Sequence, residues 1–402
     1  MKLGEEGRLV VAVATAACAG LGVLLLIAPG FFGGRGFPLD DAWIHLVYGR
    51  SLARTATLAY NPGVAATGET SPLWAWVLAI PHWVTRDVAG VVALSKGIGF
   101  LLHTTTTLVT ELALPRSLPL ALRVGGASLV AFHPDLVAAS VSGMEVPLAT
   151  VFAALLLLTA RRGPAWALAA VAFLAPFARP EVCVITLLVH VAVTWSERAH
   201  LRRALVAAGA TVASFAVLAA RNLQAAGRPM PATFYVKFGQ GSSLLDAERR
   251  GFGALVSELA GLGPWVALLG VAGAWFVTTS RRHPRPRDRV DVGAALLAGV
   301  GFLAASFFAV PPIDPPAFYH QRYALPALPL LLCALPAGLF FLGSARLRKV
   351  LAATGTACVA VASAVAAPAH HRRLDNDAHN IDDVQVAVGR AVASVAADRA
   401  VW

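Results

Sequence analysis

Charge is what this sequence has least of. Asp, Glu, Lys and Arg together make up 14% of its 402 residues, against about 25% in an ordinary soluble domain. The chain is 57% hydrophobic, and surface-to-volume scaling prevents a water-soluble core from hiding that much apolar surface. The scarcity of charge therefore excludes a soluble globular protein, and a mean hydropathy of +0.67 agrees. Cysteine is scarce too. Cys18, Cys183, Cys333 and Cys358 all lie inside apolar runs, without the spacing of a metal site or a disulfide framework, and read as small hydrophobes. Also lacking are an internal repeat and the alternating pattern that a membrane barrel requires. Acidic residues are outnumbered, 22 against 33 Lys and Arg, for a formal net charge of +11. Most of the basic residues sit in short loops between apolar runs, where they orient a membrane protein, so no nucleic-acid partner is expected.

What is present is a succession of apolar runs, each near the roughly 20 residues that span a bilayer as helix. They cover 9–29, 72–84, 88–110, 118–138, 144–160, 164–178, 181–195, 202–221, 257–280, 291–311, 322–343 and 347–367. The pattern predicts an all-α polytopic membrane protein with about 11–12 spans. The first run lacks a convincing cleavage site and is expected to stay as a span. The basic loops at 161–162, 198–203, 281–289 and 346–349 should be cytoplasmic. Segments 30–71, 222–256 and 312–321 then lie outside, on the working face. Strict alternation conflicts with that assignment unless one run between 72 and 138 does not cross, and the short 72–84 run is the first suspect. Residues 1–368 form the membrane domain. Residues 369–402 form an extracytoplasmic tail that begins like a soluble helix, as in a truncated or reduced C-terminal domain.

The first outer segment carries the densest chemistry. Asp40 and Asp41 open a stretch whose Ile44, Val47 and Tyr48 give an apolar stripe at helical spacing, predicting a helix along the membrane interface. Asp40 is placed to cap that helix. Asp41 and His45 fall on one face at i,i+4. One of the two carboxylates suits a general base that takes a proton from an attacking hydroxyl. The alternatives are a simple first-turn role, or a divalent metal held by the pair with His45. Glu69, Thr70 and Ser71 offer hydrogen-bonding groups before the next helix. Trp74, Trp76 and Trp83 read as markers of interface depth.

Further polar residues interrupt later runs. Glu145 opens a span, and Arg179 and Glu181 flank Pro180, either as a local ion pair at a kink or as part of a site. Lys237, set between aromatics with Tyr235 nearby, suits a phosphate on a lipid carrier, with snorkelling as the alternative. Arg322 offers a planar fork for phosphate and Tyr323 one more donor, while His320 would share that task or contact a sugar. A base with two cationic anchors on one face of a membrane bundle suits removal of a group from a lipid-linked phosphate. A transporter, the competing class, would favour paired repeats and broken helices with polar sites at the midplane.

The ordered set Asp40-Asp-Ala-Trp-Ile-His-Leu-Val-Tyr-Gly-Arg50, Tyr60-Asn-Pro-Gly63, Glu69-Thr-Ser-Pro-Leu-Trp74, Ser142-Gly-Met-Glu145, Ala178-Arg-Pro-Glu181, Pro231-Ala-Thr-Phe-Tyr-Val-Lys237 and Arg322-Tyr-Ala-Leu-Pro326 resembles the GT-C class of integral membrane glycosyltransferases. Within that class the chain resembles the mycobacterial-type terminal arabinofuranosyltransferases and their bacterial relatives. The resemblance implies a GT-C-like bundle in a bacterial cytoplasmic membrane. Asp40 would be the catalytic aspartate, with Asp41 in the acidic position that follows it. The donor would be a polyprenyl phosphate sugar, arabinofuranose first and mannose or another hexose second. Transfer would invert the anomeric centre, to a hydroxyl of a cell-envelope glycan. Glu69, Thr70, Glu145 and His320 are the candidates for discriminating the sugar.

Overall fold

A computed structural model describes residues 36–61, 64, 66–115, 118, 120–196, 198–238, 286–309, 322–332, 334, 376 and 378–395. The described residues contain helices and connecting segments and no strand. The predicted runs at 9–29, 257–280 and 347–367 lie outside them, as do His320 and the latter part of 322–343.

The first polar segment forms α1 (Asp40–Thr55), with Asp40 and Asp41 in its first turn and Arg54 in its last, the charge order that a helix dipole favours. Helix α2 (Pro72–Val84) packs on α1 and begins with proline at its first position. Its 13 residues reach only about 20 Å at 1.5 Å per residue, short of a hydrocarbon core about 30 Å thick. Helix α3 (Val88–Ala113) is capped by Asp87, whose side chain accepts the Gly90 N–H at 2.8 Å. The 118–138 run divides into α4 (Leu120–Ala131) and α5 (Pro134–Ser140), because Pro134 disfavours helical backbone at His133. Then come α6 (Val146–Arg161), α7 (Ala165–Ala178), α8 (Val182–Ser196), α9 (Leu201–Ala226), the short α10 (Ala232–Phe238) and α11 (Pro286–Ala309). Helix α11 starts within the 281–289 segment that the sequence reads as loop. Residues 380–395 are helical, a π-helical stretch (Asn380–Gln385) leading into α12 (Val386–Val395).

The core is built from small residues. Helix α7 packs against α6 and α9, and α8 against α11, with Ala149, Ala153, Ala172, Ala175, Ala207, Ala294 and Ala298 buried. Close approach of small-residue faces is how helices associate where lipid supplies no hydrophobic drive. One approach admits glycine alone: a Cβ on Gly99 of α3 would lie 2.0 Å from the Ser140 carbonyl oxygen of α5.

The bundle has two chemically distinct ends. Arg162 donates to the carbonyls of Leu112 and Leu114 at the end of α3, and Arg203 to those of Thr159 and Ala160 at the end of α6. Thus α3 ends, α6 ends and α9 begins at one basic end. The start of α6, the end of α7 and the start of α8 lie at the other end, where the polar residues collect. Helix α3 runs the whole way between the ends, so α1 and α2 both precede a crossing and belong to the polar end. The parity conflict in the sequence disappears once α2 is not counted as a span.

Candidate active site

Six chain segments meet at the polar end. Leu39 has extended backbone and is the N-cap of α1. Asp40 is therefore the first helical residue rather than the cap expected from sequence. Its Oδ1 accepts the backbone N–H of Asp41 at 2.9 Å, and it is exposed. Asp41 turns toward Arg322, whose Nη2 donates to Asp41 Oδ2 at 2.7 Å. It does not pair with His45, its i+4 neighbour.

His45 lies buried between two carboxylates. Its Nδ1 is 3.0 Å from both Glu69 oxygens, and its Nε2 is 3.1 Å from Glu145 Oε2. The other Glu145 oxygen lies 3.5 Å from Arg179 Nη1, and Arg179 Nη2 donates to Glu181 Oε1 at 3.3 Å. Arg179 also donates to the Arg322 carbonyl at 3.3 Å. The guanidinium groups of Arg179 and Arg322 stand 4.6 and 5.3 Å from the centroid of the Tyr323 ring, close enough for cation–π attraction. The result is a run of alternating sign, Glu69–His45–Glu145–Arg179–Glu181, joined through Arg322 to Asp41. Alternation is what makes this much buried charge tolerable, since each desolvated ion faces an opposite one.

The electrostatics follow from the contacts. Burial alone would lower the His45 imidazole, but Glu69 and Glu145 overcome it and hold it at about 10. Burial would likewise raise Glu145, but Arg179 and His45 hold it far below the usual carboxylate range. Arg322 loses solvation on burial, yet Tyr323, Glu145 and Asp41 make its proton harder to remove. His45 is therefore a cation that ties α1 to the segment before α2 and to the start of α6. Both of its ring nitrogens face carboxylates, so it does not fit as the third ligand of a metal held by Asp40 and Asp41. Among the described residues no cluster of three His, Cys, Asp or Glu suits a metal ion.

The local backbone is fixed by residues that sequence alone reads differently. Trp74 is fully buried, and its indole N–H donates to the Gly143 carbonyl at 2.9 Å, so it holds the turn before Glu145 rather than marking interface depth. Gly143 has φ +80° with the Phe37 ring against it, where a Cβ would come within 2.6 Å; no other residue type fits. Ser71 donates to the Ala178 carbonyl at 2.6 Å, and its N–H reaches Glu69 Oε1 at 2.7 Å. These bonds bring the segment between α1 and α2 onto the α7–α8 turn.

Beside this network lies a cavity of about 450 Å³ lined by Glu69, Thr70, Glu181 and Tyr323 on one side and by Phe215, Leu218, Asn222 and Phe234 on the other. Arg221 and Asn222, not singled out from sequence, shape its floor. Arg221 donates to the Ala66 carbonyl at 3.0 Å and Asn222 to that of Pro229 at 3.1 Å. Both sit in an apolar helix, and their pairing partners lie in loops far along the chain or beyond the helix end, so periodicity carries no signal for them. Tyr235 lies on α10 with Arg228 over its ring at 5.1 Å. Lys237 is on the same short helix, and its side chain is outside the described residues.

No protein-family model matches the chain, and no curated protein matches it. Solved structures do. ArnT from Cupriavidus metallidurans bound to undecaprenyl phosphate aligns with a TM-score of 0.59 at 15% identity, over 99% of this chain and 82% of that one. The oligosaccharyltransferase of Archaeoglobus fulgidus, in complex with zinc and sulfate, aligns with a TM-score of 0.58 at 14% identity, over 90% of this chain and 53% of that one. Another structure from the same organism, the archaeal oligosaccharyltransferase AglB with an inhibitory peptide and a dolichol-phosphate, gives 0.50 at 12% identity. The chain spans just over half the length of these archaeal proteins. At such identities the likeness shows the fold: the chain is an all-α polytopic membrane protein with the GT-C architecture.

Proposed function

We propose that the chain is a glycosyltransferase that moves one sugar from a polyprenyl phosphate to a hydroxyl of a cell-envelope glycan, with inversion at the anomeric carbon. The observation that carries this reading is the Arg322–Asp41 pair at 2.7 Å, which sets a guanidinium beside two adjacent carboxylates at the head of α1. Asp40, exposed at the helix start, accepts the proton of the acceptor hydroxyl. The hydroxyl oxygen bonds to the anomeric carbon while the bond from that carbon to the phosphate oxygen breaks. The electron pair leaves on the phosphate, which departs as polyprenyl phosphate. Arg322 keeps donors beyond the one given to Asp41; its Nε is buried with no hydrogen-bond partner among the described residues. That fork suits the charge that develops on the leaving phosphate. Lys237, on the helix that helps line the cavity, is the second cation. The named ligands of the aligned structures, undecaprenyl phosphate and dolichol-phosphate, support a lipid-phosphate donor.

The basic loops at the opposite end support a cytoplasmic placement of that end and an extracytoplasmic site, in a bacterial cytoplasmic membrane. The resemblance of the first-loop motifs supports arabinofuranose as the sugar. The carboxylates of Glu69 and Glu145 are taken up by His45, so at the cavity Thr70 is the sequence-predicted group left to read sugar hydroxyls. The test is turnover of purified protein with polyprenyl phosphate sugars and a glycan acceptor. Asp40→Asn should lower it about 10²–10⁴-fold while retaining lipid-donor binding, and near wild-type turnover would overturn the assignment. Transfer from a mannosyl donor with none from the arabinosyl donor would replace the sugar and keep the reaction.

A further inference from the structure

Arg179 and Arg322 in the site pair with carboxylates and the Tyr323 ring, and Arg162 and Arg203 at the basic end donate to backbone carbonyls. Arg50, Arg54 and Arg86 are different. All three are exposed, and among the described residues none forms an ion pair with an acidic side chain. Arg50 and Arg54 are i,i+4 on α1, where like charges repel. Arg86 joins them from the turn between α2 and α3. Together with Trp43, His82 and Trp83 they line one cavity of about 870 Å³, which shares no lining residue with the cavity beside the site.

Two features specify what the cavity suits. The first is its sign. His82 is held below its usual range by burial first and then by Arg50 and Arg54, so a positive potential reaches the wall. The edge of His82 contacts the Leu46 carbonyl at 3.2 Å and that of Trp83 donates to the Ala53 carbonyl at 3.3 Å, which leaves the arginines as the charged donors available to a guest. The second is its rim. Trp83, Val84 and Val88 are 60%, 68% and 63% exposed, an apolar strip next to a cationic floor. An amphiphile with an anionic head and an apolar tail matches both. The location matters as well. The cavity lies at the polar end of the bundle, opposite the loops whose arginines orient the chain, so the orientation rule gives no reason for three arginines here.

We propose that this pocket binds the phosphate headgroup of an anionic phospholipid in the leaflet that meets the polar end of the bundle. The inference rests on the placement of α1 and α2 at that end and not on the transfer reaction. Each arginine close to an anionic headgroup contributes about a fivefold gain in binding, and the attraction is screened by salt. The experiment uses the full chain in mixed detergent micelles with phosphatidylglycerol and phosphatidylcholine, with retained lipid counted by native mass spectrometry. Wild-type protein should retain phosphatidylglycerol over phosphatidylcholine. The triple variant R50Q/R54Q/R86Q should lower phosphatidylglycerol affinity roughly a hundredfold, and R54Q alone about fivefold. Both variants keep the apolar core and should elute and unfold as the wild type does. Equal retention of the two lipids by wild type, or unchanged retention by the triple variant, would overturn the proposal. So would displacement of phosphatidylglycerol by glycerol phosphate at equal concentration, which would assign the pocket to a soluble phosphate; failure of glycerol phosphate to compete supports the lipid. Loss of glycosyl transfer by Asp40→Asn leaves this result untouched, so the two readings fail independently.

Discussion

Arg162 and Arg203 at the basic end and Arg179 and Arg322 at the polar end make opposite kinds of contact, although the basic end also holds one side-chain ion pair, Arg123 with the buried Glu111. At the basic end, Arg162 and Arg203 spend their donors on backbone carbonyls at helix C-termini. Those oxygens are the orphan acceptors of any helix end, and a cation there also suits the helix dipole. Such arginines close helix ends, and they ask nothing of neighbouring side chains. At the polar end, Arg179 and Arg322 are shared among Glu145, Glu181, Asp41 and the face of Tyr323. Side chains from α1, α6, the α7–α8 turn and the segment at Arg322 must all be in place for those contacts to exist. The same residue type is an anchor at one end and the hub of a charge network at the other, and the partner decides which.

That contrast is sharpest at Arg179. Arg179→Met strips the cation from the buried Glu145 and the partly exposed Glu181, and loss of one member of a buried ion pair costs about 3–5 kcal/mol. Unfolding of the purified protein in detergent should show a loss of that size. Adding Glu145→Gln should recover part of it, because the two residues are coupled. Full additivity of the two changes would mean that the network is no network.

Next in size is a dependence on pH that only the polar end should show. His45 is held at about 10 in the folded protein, above the roughly 6.5 of an unfolded chain. Its contribution is therefore complete below about pH 6.5 and is lost as pH rises through about 10. Thermal midpoints measured from pH 6 to 9.5 should fall with rising pH, and His45→Gln should flatten that slope. A wild-type profile identical to that of His45→Gln would remove the charge from His45.

Arg203→Gln, at the basic end, should cost less. It gives up charged hydrogen bonds to carbonyls at a half-exposed position, about 1–2 kcal/mol, with no dependence on the polar-end variants. A cost as large as that of Arg179→Met would erase the distinction between the ends. The smallest effect is expected at Arg54, exposed and without an acidic partner among the described residues. Arg54→Gln should change stability by no more than about 0.5 kcal/mol, which separates its lipid-binding role from a folding role.

Most members of the polar network are legible as single residues. Asp40, Asp41, His45, Glu69, Glu145, Arg179, Glu181, Arg322 and Tyr323 stand out because charge is rare in this chain and these residues interrupt apolar runs. Their pairing is not legible. The i,i+4 relation between Asp41 and His45 suggests that they act together, yet Asp41 faces Arg322, 281 residues away, and His45 faces Glu69 and Glu145. Trp74 reads as an interface marker because tryptophan is common at that depth, and only the structure shows its N–H held by the Gly143 carbonyl. The arginines around the second pocket carry no shared signal in the sequence, since Arg86 and the Arg50–Arg54 pair come from different elements.

The sequence by itself determined the class of the molecule and the apolar runs that form α3, α6, α7, α8 and α9, because transfer of apolar side chains into lipid depends on composition and run length and hardly on partners. It also determined which residues are expensive to bury, and so where a site had to be sought. The shortness of the 72–84 run already marked it as the segment that does not cross, and only the tertiary structure decided where it sits, packed on α1. Tertiary structure likewise decided which cation neutralises which carboxylate. A Coulomb interaction in a low-dielectric interior depends on separations of a few ångströms, and those separations are set by helix packing that brings together residues up to 281 positions apart.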